Sequence, residues 1–400
     1  MKRRKFIQKS ALAVSGSMLI PGFLKALEIN QLNKSFGEGK KLVIIQWSGG
    51  NDGLNTVVPF NNDLYYKNRP RLALAKNEVL ALTNELGLNP VMSGLKQIFD
   101  QGYLSIINNV GYPNPDRSHF RSLDIWHTAS ESDEYLNTGW LGRYLDAQCV
   151  GGCQTAHQAL EVDDTLSLAL KGEQIKGLAL QNAQKLYKLT QESHIQSLSN
   201  MKVQEEDSEV SYLYKTLAET VSSADYIYDK SKTYKSKLTY PTTPFARQLQ
   251  TIAELINAGL DTRVYYASMS GFDTHVNQKP QQDRLLKIYS DAIAVFIKDL
   301  KENGKLDDTM ILTFSEFGRR VAQNASGGTD HGTANNVFVI NGKLKKAGIY
   351  NELPNLSDLD EGDLKYTVDF RKIYATLLEK QLSVNSQTIL HKKFDLLNFI

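Results

Sequence analysis

Four short stretches of the chain hold residues of types that do metal and acid–base chemistry. SGGNDGLNTVVP contains Asp52, GYPNPDRSHFRSLDIW contains Arg117, Ser118 and His119, and SGFDTHVNQ contains Asp273 and His275. SEFGRRVAQNASGGTDHG contains Glu316, Arg319, Arg320, Asp330 and His331. Carboxylates gathered in one place repel one another unless protons or a cation neutralise them. A mixed set of carboxylate oxygens and imidazole nitrogens suits zinc, manganese, magnesium or calcium. The chemistry open to these stretches is therefore centred on one or two divalent metal ions. Each residue also has a structural alternative: Asp52 and Asp330 as turn residues, Ser118 as a helix cap, Asp273 in an Asx-turn. His119 is open to three roles, as a ligand, an acid–base group or a packed histidine. His127, His157, His194 and His391 read as structural.

What would bring such distant stretches together is the element that precedes each. KLVIIQW, from Lys41, is continuously apolar and rich in β-branched residues, as a fully buried strand is. YLSIINNV, VYYASM, MILTF and VFVI read the same way. Between them, PFARQLQTIAELINAG and RLLKIYSDAIAVFIKDLKENG repeat apolar residues at three and four places and stop at glycine, as amphipathic helices do. This alternation predicts an α/β fold with a largely parallel central sheet and helices on both faces. Ligands of such sheets bind at the carboxyl ends of the strands, where loops and helix N-termini converge. All four stretches follow a strand, so the spacing predicts one shared rim. The main domain is expected over residues 41–400, with a polar helical insertion over about 181–236 that is rich in Gln, Ser, Lys, Glu and Tyr. A disordered linker between two domains is the alternative there.

The chain has 400 residues, 41% of them hydrophobic and 22% charged, so it can bury a large core. Its net charge of +2 is too balanced for a nucleic-acid partner, which needs a clustered basic face. The N-terminus, MKRRKFIQKSALAVSGSMLIPGFLKA, has a basic start and a short apolar run and then Pro21 and Gly22, the pattern of an export signal over residues 1–26. A membrane span needs about 20 apolar residues. Arg3-Arg4 before Phe6-Ile7 resembles a twin-arginine signal, which implies the twin-arginine export machinery as a partner and a periplasmic or otherwise extracytoplasmic protein, exported folded. The mature chain then has no membrane span unless the signal stays uncut. A linker follows over residues 27–40. Cys149 and Cys153 are the only cysteines; a small disulfide and two inert thiols both fit them.

GGNDGLNTVVP, RSHFRSLDIW, GFDTH, SEFGRR and GTDHG, in this order after an export signal, resemble the bacterial family known as domain of unknown function 1501. That family is in turn similar in fold to the alkaline phosphatase and sulfatase superfamily. The resemblance implies an alkaline-phosphatase-like fold, an early Asp ligand at Asp52, and a nucleophile at Ser118 with Arg117 and the helix N-terminus stabilising the transferring group. It also implies an Asp-His ligand pair at Asp273 and His275, an acidic ligand at Glu316 and a late histidine at His331, with Asp330 beside it. Arg319 and Arg320 offer a second anion clamp or surface salt bridges. Phe317 stands where the related motif places a histidine, and no Cys or Ser lies in the C-x-P-x-R pattern of sulfatases. The implied activity is metal-dependent hydrolysis of phosphate or related anionic esters. A non-catalytic envelope binding or assembly protein is the alternative, and a sulfatase comes third.

Overall fold

The computed structural model describes residues 39–148, 156–199 and 208–400. The expected export signal, most of the linker and the Cys149/Cys153 pair lie outside them. The apolar runs form β1 (Lys41–Ser48), β2 (Leu104–Gly111), β5 (Val264–Ser270), β6 (Thr309–Ser315) and β7 (Asn335–Ile340). Short strands join them: β3 (Ala159–Glu161), β4 (Leu178–Ala179), β8 (Gly348–Ile349) and β9 (Val368–Asp369). Together they make a nine-stranded sheet in the order β8-β2-β7-β6-β1-β5-β3-β4, with β9 also paired to β2. Every pairing is parallel except those of β7, which runs against both β2 and β6.

Because β7 is antiparallel to both neighbours, β2 and β6 point the same way as β1 and β5. Their four carboxyl ends therefore share one rim, as the spacing predicts. The reversed strand has a second consequence: the chain leaving β6 returns to the same rim to enter β7, so one connection delivers residues from both of its ends.

Alternation along β1 divides the core. Val43, Ile45 and Trp47 face one side, with Tyr265, Ala267, Ile311 and Phe338, against the helices Pro244–Asn257 and Gln278–Glu302. Leu42 and Ile44 face the other, with Tyr266, Leu312 and Val337, against α1 (His119–Thr128), α2 (Trp140–Gln148) and α3 (Phe370–Thr376). Full burial of each such aliphatic or aromatic side chain contributes about 1.5–3 kcal/mol, which fixes the register and hence the height of every strand end. The region expected to be a polar helical insertion holds three helices, Ala183–Thr190, Ser193–Ser199 and Ser208–Ser231, with a small apolar cluster at Ile195, Tyr214 and Leu217. Among the described residues no helix is long and apolar enough to cross a membrane.

Candidate metal centre

Three imidazoles meet at the rim. His119 opens α1 beyond β2, His275 follows β5, and His331 lies between β6 and β7. Each has Nδ1 held by an acceptor. Glu316 Oε1 lies 2.9 Å from His119 Nδ1, Asp330 Oδ1 lies 3.2 Å from His275 Nδ1, and the Arg117 carbonyl lies 2.7 Å from His331 Nδ1. A carbonyl or ionised carboxylate only accepts, so each Nδ1 donates and each Nε2 carries a lone pair. All three lone pairs turn toward Asp273 Oδ1, which lies 3.0 Å from His275 Nε2, 3.3 Å from His331 Nε2 and 3.5 Å from His119 Nε2. His275 Nε2 and His331 Nε2 are 2.9 Å apart, a contact between two acceptors that a cation or an extra proton makes favourable, and the Arg319 guanidinium stands 3.4 Å from His275 Nε2. His119 Nε2 is buried without a hydrogen-bond partner.

These features fit a metal ion. Ligands about 2.0–2.1 Å from a tetrahedral ion of the zinc type lie about 3.3 Å from each other, and the three contacts to Asp273 Oδ1 bracket that edge. Donor atoms of His119, Asp273 and His331 all lie within 4.8 Å of one another. The acceptors behind the imidazoles are the arrangement that orients histidine ligands and raises their basicity.

The electrostatics match. Burial would raise the Asp273 carboxyl, but the hydrogen bond and charge of Arg319 outweigh it and hold the group down at about 2. Burial lowers the His331 imidazole below its usual value, which favours the neutral, ligating form. The hydrogen bond that Glu316 accepts from His119 raises the imidazole, so in the metal-free protein this ring takes up a proton more readily than an exposed histidine does.

Backbone approach makes the meeting possible. Gly49, with φ +122°, donates its N–H to Glu316 Oε1 at 2.8 Å, and a Cβ there would stand 2.4 Å from the Asp273 nitrogen. At Gly328 a Cβ would lie 2.3 Å from the His275 carbonyl, so only glycine lets the β6–β7 connection fold back against the loop after β5. Arg319 braces the loops beneath. Its guanidinium is fully buried and donates to the carbonyls of Gly49, Gly50, Phe272 and Thr329 as well as to Asp273 Oδ1. The expected anion clamp at this residue is thus a buried brace that also sets a positive charge on Asp273.

Other expected site residues are placed differently. Glu316, expected as a ligand, is fully buried behind His119 and also accepts from Ser315 Oγ at 3.1 Å. Asp330 stands behind His275 in the same way. Asp52, expected as the first ligand, is not brought to this group. Its Oδ2 pairs with Arg69 Nη1 at 2.5 Å, both side chains having no exposure, and it also accepts from Gln278. Arg69 donates further to the carbonyls of Val321 and Arg320, at 2.8 Å each, so the pair ties the loop after β1 to the loop after β6. Arg117 and Arg320 both pair with the buried Asp363. Ser118 is exposed at the N-cap of α1, and its side chain makes no capping bond. His127 is buried against Gln46 Oε1 at 2.8 Å, where burial pushes its imidazole down to about 4.

Sequence reasoning missed Arg69, which sits in an ordinary-looking NRPRL segment. Phe317 was visible only as a departure from a motif. In the structure its ring packs 4.9 Å from that of His119 and 4.8 Å from that of His331, an apolar wall for the two imidazoles.

The chain belongs to the family described as protein of unknown function (DUF1501), whose model matches residues 102–396 and so leaves β1 and Asp52 outside the matched span. A comparison with curated proteins gives no match. Among solved structures the chain is similar to a protein in the alkaline phosphatase superfamily from Vibrio parahaemolyticus, at 12% identity over 90% of this chain and 71% of that one, with a TM-score of 0.38. It is also similar to the lipoteichoic acid synthase LtaP from Listeria monocytogenes, at 10% identity over 78% and 68%, TM-score 0.35. A third is the C-terminal periplasmic domain of EcEptC from Escherichia coli in complex with Zn, at 10% identity over 77% and 75%, TM-score 0.37. These likenesses are distant and assign no residue a role.

Two outcomes follow from the pairings. Asp52→Asn leaves the buried Arg69 guanidinium without its counter-charge, so it costs about 3–5 kcal/mol of stability in denaturant melts, with metal stoichiometry unchanged; a fall in bound metal at unchanged stability would return Asp52 to the ligand set. In metal-free protein, the depressed Asp273 contributes stability that is complete above the ordinary Asp range near pH 4 and is lost as pH falls through about 2. Melts at pH 5 and pH 2.5 therefore show a smaller loss of stability in Asp273→Asn than in the wild type.

Proposed function

We propose that this protein is an exported, metal-dependent hydrolase of phosphate or related anionic esters. The observation that carries this reading is the tethering of His119 and His331 through Nδ1 so that their donor atoms and that of Asp273 lie within 4.8 Å of one another. His119, His331 and Asp273 would hold a divalent ion, with His275 beside Asp273 and His331. Such an ion supplies Lewis acidity, polarising an ester oxygen or lowering the pKa of a hydroxyl.

The chain's own residues do the rest. Ser118 adjoins His119, and its exposed hydroxyl is committed to no cap. Its Oγ forms the new bond to phosphorus as the bond to the leaving alcohol breaks. The proton given up by the Ser118 hydroxyl passes to the leaving oxygen, and water then attacks phosphorus, releasing phosphate and returning a proton to Ser118 Oγ. The unpaired amides at the start of α1 point toward negative charge that gathers on the transferring group. Glu316 and Asp330 keep His119 and His275 in the ligating tautomer throughout.

Export by the twin-arginine route rests on Arg3-Arg4; with both changed to Lys, fractionated cells should hold the protein in the cytoplasm, and unchanged export would remove the claim. The reading as a non-catalytic binding or assembly protein has one observation in its favour, since Arg319 places a positive charge at Asp273 Oδ1 without any ion. Turnover decides between the two. Metal-loaded protein assayed on phosphate monoesters, phosphate diesters and sulfate esters should hydrolyse a phosphate class. Ser118→Ala should lower kcat by about three orders of magnitude or more, in line with loss of a nucleophile, at unchanged metal content. Absence of turnover on all three classes would favour the binding protein.

A further inference from the structure

Of the three acceptors behind the imidazoles, two are carboxylates and one is a peptide carbonyl, that of Arg117, which lies 2.7 Å from His331 Nδ1. A carbonyl orients a ring only as firmly as its own peptide plane is held. Two anchors hold this plane. The Ser118 N–H, on the same peptide group, donates to Asp116 Oδ1 at 2.6 Å. The Arg117 side chain is fixed separately, because its Nε and Nη2 both donate to Asp363 Oδ2, at 2.9 and 2.5 Å.

A short hairpin presents Asp363. Leu359–Asp360 and Asp363–Leu364 pair antiparallel across a two-residue turn, in which Glu361 and Gly362 both have positive φ, +51° and +91°, as the tightest hairpins require. The Leu364 carbonyl accepts from Thr333 Oγ1 at 2.6 Å, two residues past His331. Asp363 is fully buried, and a buried carboxylate is tolerated when its charge is paired and its oxygens are hydrogen-bonded. Each of its oxygens has its own arginine. Oδ2 takes Arg117, and Oδ1 accepts from Arg320 Nε at 3.2 Å, while the Arg320 backbone N–H donates to the Asp330 carbonyl at 3.0 Å. One carboxylate thus joins the loop that carries the acceptor to the connection that carries the histidine.

We propose that Asp363 is a positioning residue of the metal centre. Through the Arg117 side chain it keeps the Arg117 carbonyl on His331 Nδ1, and so keeps His331 Nε2 turned toward the ion. The inference rests on the metal-dependent reading and adds to it a residue more than 30 positions beyond the last histidine of the centre. Charge alone predicts the opposite of this role. Arg117 is a cation beside a cation site, so taking it away strengthens metal binding if its charge is all that it contributes; loss of the tether weakens it.

The test compares Arg117→Ala with Arg320→Ala in the full chain. The two side chains are 40% and 39% exposed, and each variant leaves Asp363 paired with the other arginine, so both should fold. They remove the same charge from the same carboxylate, and only the first removes the tether. Zinc affinity, measured by competition with a chelating dye, should fall about tenfold or more in Arg117→Ala, within the range for groups that orient histidine ligands. In Arg320→Ala it should stay level or rise. In metal-free protein, nitrogen-15 NMR of the neutral His331 ring should show the proton on Nδ1 in the wild type and in Arg320→Ala, and a mixture of both tautomers in Arg117→Ala. Zinc binding that is unchanged or tighter in Arg117→Ala, equal weakening in both variants, or a tautomer that Arg117→Ala leaves alone would overturn the proposal. A wild-type chain that binds no zinc, with the His331 tautomer still shifting in Arg117→Ala alone, would sink the hydrolase reading and leave the Asp363 tether standing.

Discussion

Three imidazoles that donate through Nδ1 turn their remaining lone pairs toward one another, toward Asp273 Oδ1 and, for His275, also toward Arg319 Nη1 at 3.4 Å. That constraint orders the rim. Glu316, Asp330 and the Arg117 carbonyl fix the rings, and each of these acceptors comes from a different part of the chain than the histidine it holds. Loss of any one frees a ring to rotate and scatters the donor set. Arg319 adds the electrostatic half: a buried guanidinium, satisfied by four carbonyls, keeps Asp273 ionised where burial would otherwise favour its neutral form.

Topology supplies what chemistry requires. Parallel strands bring β2, β1, β5 and β6 to one edge, and the single reversed strand β7 returns the chain there, so Glu316 and His331 arrive from opposite ends of one connection. Close backbone approaches at Gly49 and Gly328 let three loops touch. The Asp52–Arg69 pair locks two of them from below. The two charges are buried together; Arg69 is satisfied further by the carbonyls of Arg320 and Val321, while Asp52 Oδ1 has no hydrogen-bond partner.

Much of this was legible in the sequence because burial leaves a pattern. The five long strands and the helices Pro244–Asn257 and Gln278–Glu302 follow from apolar periodicity, and strand ends in an α/β sheet predict where chemistry gathers. His119, Asp273, His275 and His331, named on that ground, stand together at the rim. Their division of labour was not legible. A carboxylate that touches a metal and one that holds the far side of a histidine have the same residue type and the same rim position, so Glu316 and Asp330 differ from Asp273 only in three-dimensional orientation. The pairing of Asp52 was hidden because the arginine that neutralises it lies in a loop with no periodicity to mark it. The reversal of β7 was equally hidden, since a buried strand reads the same in either direction.

The central claim is that the tethered imidazoles share one divalent ion. X-ray absorption at the metal edge of purified protein, loaded and then dialysed against a weak chelator, tests it most directly. The account predicts one retained ion per chain, with nitrogen and oxygen ligands near about 2.0–2.1 Å if the ion is zinc and the outer-shell scattering of histidine rings, reduced in His331→Ala. A chain that keeps no ion, or an oxygen-only shell unchanged in that variant, would contradict it.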